Sequence, residues 1–311
     1  MTEKNIIKVS ILIPTFNREE ILSQTVDLIL EMNYPACELI IIHQKPRFSS
    51  EFQEFVERNK DRIRYLTVEW ASVPRACNLG IENARGEIIL MLDDDIIPDV
   101  NLVSAHLKNY SNPKIGAVAG RILSPHPAKF PEHVGQIGGL GPKHETFVSL
   151  QRQYVETGRG ANMSFRRELF FKLGGFDVNY VKNAHRFESD FCFRLRKSGY
   201  LVVYDPEAVV QHLEIKTGGI KSGIGGVTNT PAFYRNEMLF YFKNQPNGWL
   251  GRYLWLNYIQ RVPSRSIRNV VVRSLSFLFG VFWGIGVYLL RYKLHFNAKA
   301  KVRSGEVCEL E

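Results

Sequence analysis

Residues 86–98 read Gly-Glu-Ile-Ile-Leu-Met-Leu-Asp-Asp-Asp-Ile-Ile-Pro. Five apolar residues, Ile88 to Leu92, run straight into three carboxylates, Asp93, Asp94 and Asp95. A short unbroken apolar run is the pattern of a strand buried on both faces, as in a parallel sheet. Carboxylates this close repel one another, and ionised together they call for a cation. In an open parallel sheet, ligands sit outside the carboxyl ends of the strands, where these groups lie. A divalent metal bridging to a phosphorylated ligand meets both conditions. A solvated acidic turn before a helix is the plainer alternative.

Working outward, the apolar runs at 9–14 and 38–42 predict two more buried strands, and 62–68 reads as a third strand. Ile21, Leu22, Val26, Ile29 and Met32 recur at helical spacing and predict a helix over 18–33. Asn17 is placed to cap it, and Glu19 and Glu20 suit its first turn. Phe52, Phe55 and Val56 mark a short helix, and 74–84 reads as another with Pro74 near its first turn. A helix at 101–110 and a strand at 115–119 follow. Strands alternating with helices predict an α/β fold with a doubly wound, mostly parallel sheet.

Past Gly120 the pattern loosens. Residues 124–147, rich in Pro, Gly and His, read as one long loop. A helix at 187–198 stops at Gly199, and short strands are expected at 201–204 and 208–210. The five glycines of 218–230 predict a mobile loop.

The 311 residues are 45% hydrophobic, enough for one large α/β domain with an appendage, and global disorder is excluded. Four scattered cysteines, Cys37, Cys77, Cys192 and Cys308, lack metal-type spacing and read as free thiols in a reducing compartment. The start, Met-Thr-Glu-Lys-Asn, lacks the pattern of a secretory signal. The net charge of +9 is unevenly placed, because residues 243–303 hold eleven Lys or Arg and no Asp or Glu. That region encloses Ser274 to Leu290, seventeen residues without charge, at the lower edge of the ~17–25 needed to span a bilayer. Basic residues on both flanks fit a segment lying in the cytoplasmic membrane face better than one clean span. A buried helix of a soluble domain is the alternative, and Gly280 and Gly284 form a G-x-x-x-G within it. The region holds no recognised nucleic-acid module, so no nucleic-acid partner is expected.

Four stretches carry a family likeness when taken in order. They are Val9-Ser-Ile-Leu-Ile-Pro-Thr-Phe-Asn-Arg18; Pro74-Arg-Ala-Cys-Asn78 running into Asp93-Asp-Asp95; Gly160-Ala-Asn162 leading to Gly174-Gly-Phe-Asp177; and Phe187-Glu-Ser-Asp190 preceding Tyr204-Asp-Pro206 and His212. Over about residues 8–215 the chain resembles the family 2 glycosyltransferases, with their nucleotide-sugar-binding GT-A type fold. The resemblance implies an inverting transfer from a nucleotide-diphosphate sugar donor to an acceptor hydroxyl. It implies a catalytic domain over 1–235, with a nucleotide-sugar half at about 8–120 and an acceptor half at 121–235. Residues 236–311 then form a basic, apolar extension at the membrane surface. A lipid-linked or surface-glycan acceptor and a location at the inner face of the cell membrane follow from that extension.

The resemblance also assigns roles. Pro14, Thr15, Phe16, Asn17 and Arg18 would cradle the nucleotide, Arg18 approaching a phosphate. Asp93 would face the ribose or a Mn²⁺ or Mg²⁺ ion, which Asp95 and His212 would also ligate; Asp94 would line the donor site or point elsewhere, since side chains alternate on an extended chain. After the second strand, where the family commonly carries Asp, His43 and Gln44 stand instead, and Gln44 can still pair with a base edge. Arg75 would supply positive charge beside Asn78, because Cys77 occupies a position where Arg is common. Asn162 would line the sugar or acceptor side. Glu188 and Asp190 compete for the general base, with Glu188 aligned on the family's position. Outside this family, an aspartate-based phosphotransferase and a non-catalytic membrane scaffold are the rival readings.

Overall fold

The computed structural model describes residues 8–32, 34–45, 49–125, 132–138, 141–144, 146–215, 230–244, 250–251, 254, 258–259, 262, 266–293 and 308–309. The glycine-rich stretch at 218–229 lies outside them.

The first half alternates as its sequence predicts. Strands β1 (Val9–Thr15), β2 (Cys37–Gln44), β3 (Ile63–Val68) and β4 (Ile88–Leu92) are joined by α1 (Glu19–Glu31), α2 (Ser50–Asn59) and α3 (Val73–Asn83). β1 pairs in parallel with both β2 and β4, and β2 with β3. All five residues of β4 are buried, as a central parallel strand covered on both faces requires. Gly86 permits this packing, since a Cβ there would sit 2.5 Å from the Ser10 backbone nitrogen. Asn17 is not the cap of α1. Its φ is +53°, a turn conformation that asparagine tolerates, and Arg18 precedes the first helical residue without a side-chain cap bond.

After β4 come β5 (Ile96–Pro98), α4 (Leu102–Leu107), a 3₁₀ turn at Lys108–Ser111, and β6 (Ile115–Leu123). Residues 124–147 hold more than a loop: β7 (Gln136–Gly138) and β8 (Gly141–His144) form a small antiparallel hairpin. Then follow β9 (Gln153–Tyr154), β10 (Asn162–Arg166), α5 (Arg167–Lys172), α6 (Phe187–Lys197) and β11 (Leu201–His212). The two short strands expected at 201–210 are one strand, with a register break against β6 between Asp205 and Val209. β10 is an unexpected antiparallel insert between β4 and β6. Gly199 ends α6 with φ +88°, as a helix stop of this kind requires.

The main sheet runs β12-β3-β2-β1-β4-β10-β6-β11-β5, where β12 is Cys308–Glu309, and β9 adds to β11. Because β10 is antiparallel to both neighbours and β11 is parallel to β6, strands β1, β4, β6 and β11 point the same way. Thr15, Asp93 and His212 therefore reach one edge of the molecule. The fold is α/β, with a mostly parallel sheet flanked by helices.

Two helices complete the described chain, α7 (Pro231–Asn244) and α8 (Ile267–Tyr288), the latter ending in a π turn at Leu289–Lys293. The division expected at 235 falls inside α7. Every residue from Ala232 to Tyr241 is buried, wedged between α6 with its preceding loop and α8. Gly280 and Gly284 serve this packing. A Cβ on Gly280 would lie 2.4 Å from Pro231 O, and one on Gly284 would lie 2.6 Å from Met238 Cβ. Cys37, Cys77 and Cys192 carry free thiols.

Candidate active site

β4 and β11 build the centre. Asp93 and Asp95 leave the carboxyl end of β4, and His212 ends β11, where it pairs with Ile96 of β5. His212 Nε2 lies 3.3 Å from Asp93 Oδ2 and 3.3 Å from Asp95 Oδ1. The three side chains offer ligand atoms all within 4.8 Å of one another. Burial works against a charge on His212, but hydrogen bonds and the charges of Asp93 and Asp95 outweigh it, holding its pKa up to about 9. A metal ion taking His212 would displace that proton, because only the neutral imidazole is a ligand. Asp95 Oδ1 is buried and, among the described residues, accepts no well-formed hydrogen bond, the His212 ring lying 3.3 Å from it. A buried carboxylate oxygen left in that state fits a metal ligand. The two carboxylates suit Mn²⁺ or Mg²⁺ by donor type, while the imidazole is a softer donor that such hard ions take less readily.

The other oxygen of Asp95 is engaged: Oδ2 takes Ile215 N at 3.0 Å and faces Arg18 Nη1 at 3.1 Å. Asp94 shares Arg18 Nη1 with Asp95 and is not part of the Asp93, Asp95 and His212 cluster. Its carboxylate accepts from Thr15 Oγ1 at 2.7 Å and Arg18 Nη1 at 2.9 Å, tying the end of β1 to the end of β4. Burial pushes its pKa up to about 6, although Arg18 and Thr15 lower it. Arg18 also donates to Ile215 O at 2.6 Å, so its guanidinium is a strut across the acidic turn rather than an arm extended toward a phosphate. Thr15 is occupied in the same strut. Pro14 and Phe16 are half-buried and Asn17 is exposed, leaving these three facing outward at the edge.

Several polar residues that the sequence offers to ligands are spent within the fold. Gln44 donates to Thr15 O at 3.2 Å and accepts from Ser72 N at 2.7 Å. It braces β1 against the start of α3 instead of presenting a base-reading edge. Beside it His43 touches Tyr65 OH, and burial drives its pKa down to about 4. Asn78 bonds both the N–H and the C=O of Phe176, a link between α3 and the turn after α5. Asn162 is wholly buried, bonding Arg121 O, Ala208 O and His106 Nε2. It joins β10 to β6 and β11 and does not line the site. Arg75 is half-buried, with its guanidinium 4.1 Å above the Trp70 ring.

The two rival carboxylates at the start of α6 part company. Asp190 is 0% exposed. It is held by Arg194 Nε at 2.9 Å, Lys243 Nζ at 2.8 Å, Asn244 Nδ2 at 3.0 Å and Tyr180 OH at 3.2 Å. Burial would raise its pKa, but Lys243 and Arg194 hold it below the usual range. No acceptor hydroxyl reaches a carboxylate so enclosed. Glu188 is half-buried and its Oε1 takes Gly160 N at 3.0 Å. Burial raises the Cys77 thiol well above its usual pKa, and the charges of Glu188 and Asp93 raise it further. Asp177 entered the sequence reading only as part of a motif, and Lys243 and the α7 residues Arg235 to Glu237 were given no role there. The last left a visible signal: three consecutive polar residues inside an apolar helix.

The profile of Glycosyl transferase family 2 matches residues 10–174. The chain is 26% identical over 219 residues to a glucosyl-dolichyl phosphate glucuronosyltransferase of Haloferax volcanii, covering 66% of this chain and 69% of that protein. It is 24% identical over 233 residues to a probable glycosyltransferase, YdaM, of Bacillus subtilis, covering 69% of this chain and 52% of the relative. The fold superposes with TM-score 0.57 and 17% identity on a mannosyltransferase of Pyrobaculum calidifontis solved with GDP-Man and Mn²⁺, over 92% of this chain and 81% of that one. A profile match across more than half of the chain, on this sheet, makes the protein a member of glycosyl transferase family 2.

Proposed function

We propose that the chain is a metal-dependent, inverting glycosyltransferase, moving a sugar from a nucleoside-diphosphate sugar to a hydroxyl of a lipid-linked or surface-glycan acceptor. The observation that carries this reading is the convergence of Asp93, Asp95 and His212, with a buried Asp95 oxygen facing into the cluster. These residues would hold Mn²⁺ or Mg²⁺, which when bound supplies positive charge to the leaving diphosphate. Glu188 is the base. It takes the proton of the acceptor hydroxyl as that oxygen bonds to the anomeric carbon, and the bond to the diphosphate breaks with its electron pair leaving on the nucleotide. Asp190 holds the helix that carries Glu188 and touches no substrate. Pro14, Phe16, Asn17 and Arg75 form the nucleotide side. Family membership removes the support for the phosphotransferase and scaffold readings.

The acceptor assignment rests on α8. Phe277, Gly280, Val281 and Gly284 are its buried residues, while Val271, Leu275, Leu278, Phe279 and Phe282 are exposed on the opposite face. A helix packed on α7 along one face is not surrounded by lipid. It suits a position in the cytoplasmic interface of a membrane, with Arg268, Arg291 and Lys293 exposed at its ends.

The test is calorimetric titration of the purified chain with UDP, GDP and dTDP, with and without Mn²⁺. One nucleotide is expected to bind only with the metal, and Asp95→Ala to abolish that binding while circular dichroism is unchanged. Metal-independent binding, or binding kept by Asp95→Ala, would overturn the metal-site reading.

A further inference from the structure

Three consecutive residues of α7, Arg235, Asn236 and Glu237, are 3%, 0% and 0% exposed. A helix turns about 100° per residue, so neighbours in sequence normally face different surroundings. Here all three engage one stretch, residues 179–186, which leads into α6. Arg235 Nη1 donates to Asn179 O. Asn236 Oδ1 accepts from Val181 N at 3.3 Å, and its Nδ2 donates to Val181 O at 3.0 Å. Glu237 Oε1 accepts from Arg186 Nε at 2.9 Å and lies 2.5 Å from His185 Nε2.

Between these anchors the backbone is left-handed at three residues that are not glycine: Lys182 at φ +59°, Ala184 at +50° and Arg186 at +80°. A Cβ makes that conformation unfavourable, and it persists only where the surroundings impose it. Arg186 is the residue immediately before α6, and its carbonyl accepts the Asp190 N–H at 2.8 Å. Glu188 lies inside that first turn. Arg186 also lies with its guanidinium 5.4 Å over Phe240 of α7, so one helix holds both its charge and its face. We propose that Glu237, with Asn236 and Arg235, is a positioning brace: it holds 179–186 in its strained path and so fixes where α6 begins and where Glu188 points. The inference rests on the reading of Glu188 as the base, while the brace itself has a test that does not.

The experiment is amide hydrogen exchange read by mass spectrometry on the full chain, for wild type, Glu237→Ala, Glu237→Gln and Asn236→Ala. Glu237→Ala is expected to speed exchange at 184–190 by about tenfold or more, with residues 9–92 unchanged. Glu237→Gln, which keeps an oxygen for Arg186 and loses the charge, should fall between. If Glu237→Ala does not fold, Glu237→Gln and Asn236→Ala carry the same comparison. Mn²⁺-dependent nucleotide binding should stay within about twofold in Glu237→Gln, while kcat for the matching nucleotide-sugar falls about 10- to 100-fold. Unaltered exchange at 184–190, or turnover falling only in step with nucleotide binding, would overturn the brace. If wild type binds no nucleotide, the functional reading fails and exchange alone decides the brace.

Discussion

Lys243 is the residue on which the acidic side chains behind the site depend. Its ammonium pairs with both Asp177 and Asp190, and Tyr292 OH donates to Asp177 as well. Burial would raise the Asp177 pKa, but Lys243 and Tyr292 hold it down to about 2. A carboxylate depressed on folding contributes stability above its unfolded pKa, about 3.9, and loses it as pH falls toward the folded value. Lys243→Met leaves two enclosed carboxylates without their shared cation and is expected to destabilise by about 3–5 kcal/mol. Urea unfolding between pH 7 and pH 3 checks this. The wild type should lose stability through the acid range, and the variant, already weakened at neutral pH, should lose less. The same residues mark how far the site was legible. Asp93 and Asp95 stood out through carboxylate chemistry local to the sequence and His212 only through the family resemblance, and the fold brings the three together. Glu188 and Asp190 could not be separated, because what distinguishes them is Lys243, 53 residues beyond Asp190, and Tyr180. Gln44, Asn78 and Asn162 looked available because a sequence does not reveal main-chain partners on distant elements.

Among elements, α7 and α8 meet through glycine. A side chain at Gly284 would strike Met238 Cβ and the Arg235 carbonyl, the latter at 2.7 Å, and backbone cannot yield as a flexible tip can. Gly284→Val is therefore expected to lift α8 from α7. The thermal midpoint should fall by several degrees, on the order of 1–3 kcal/mol for overpacking, and binding of an apolar dye should rise. β4 was legible as an uninterrupted apolar run buried on both faces, and β1 and β2 through their Ile- and Leu-rich centres, while β3 shows in the alternation of Ile63, Tyr65 and Leu66 with Arg64 and Thr67. β10 was not, because Asn162 and Ser164 are fully buried on His106, which erases the apolar pattern that marks a strand. His106 stays neutral there, its pKa lowered to about 4 by burial. β11 was split in two because Asp205, Pro206 and Glu207 interrupt it at its register break.

Across the whole molecule, α7 packs both on α6, which carries Glu188, and on α8 with its exposed stripe. Phe279 is 63% and Phe282 70% exposed, in a region without acidic residues. The chain is expected to float with phosphatidylglycerol vesicles and less with phosphatidylcholine, and to release as salt is raised. The pair Phe279→Asp and Phe282→Asp should weaken flotation by about tenfold or more without changing the circular dichroism. Equal flotation of the paired variant would remove α8 from the membrane contact.

The antiparallel β10 has a consequence for how the chain is made. Its position between β4 and β6 means that β4 has no neighbour on one side until residues 162–166 have left the ribosome. For about 70 residues of synthesis the nascent half-sheet carries Ile88 to Leu92 as a bare apolar edge, open to pairing with another chain. A fragment stopped near residue 120 should therefore aggregate on release, and one extended through His212, which supplies β10 beside β4 and then β11 beside β6, should stay in solution. Ribosome-bound chains of graded length, assayed by sedimentation, would locate that point.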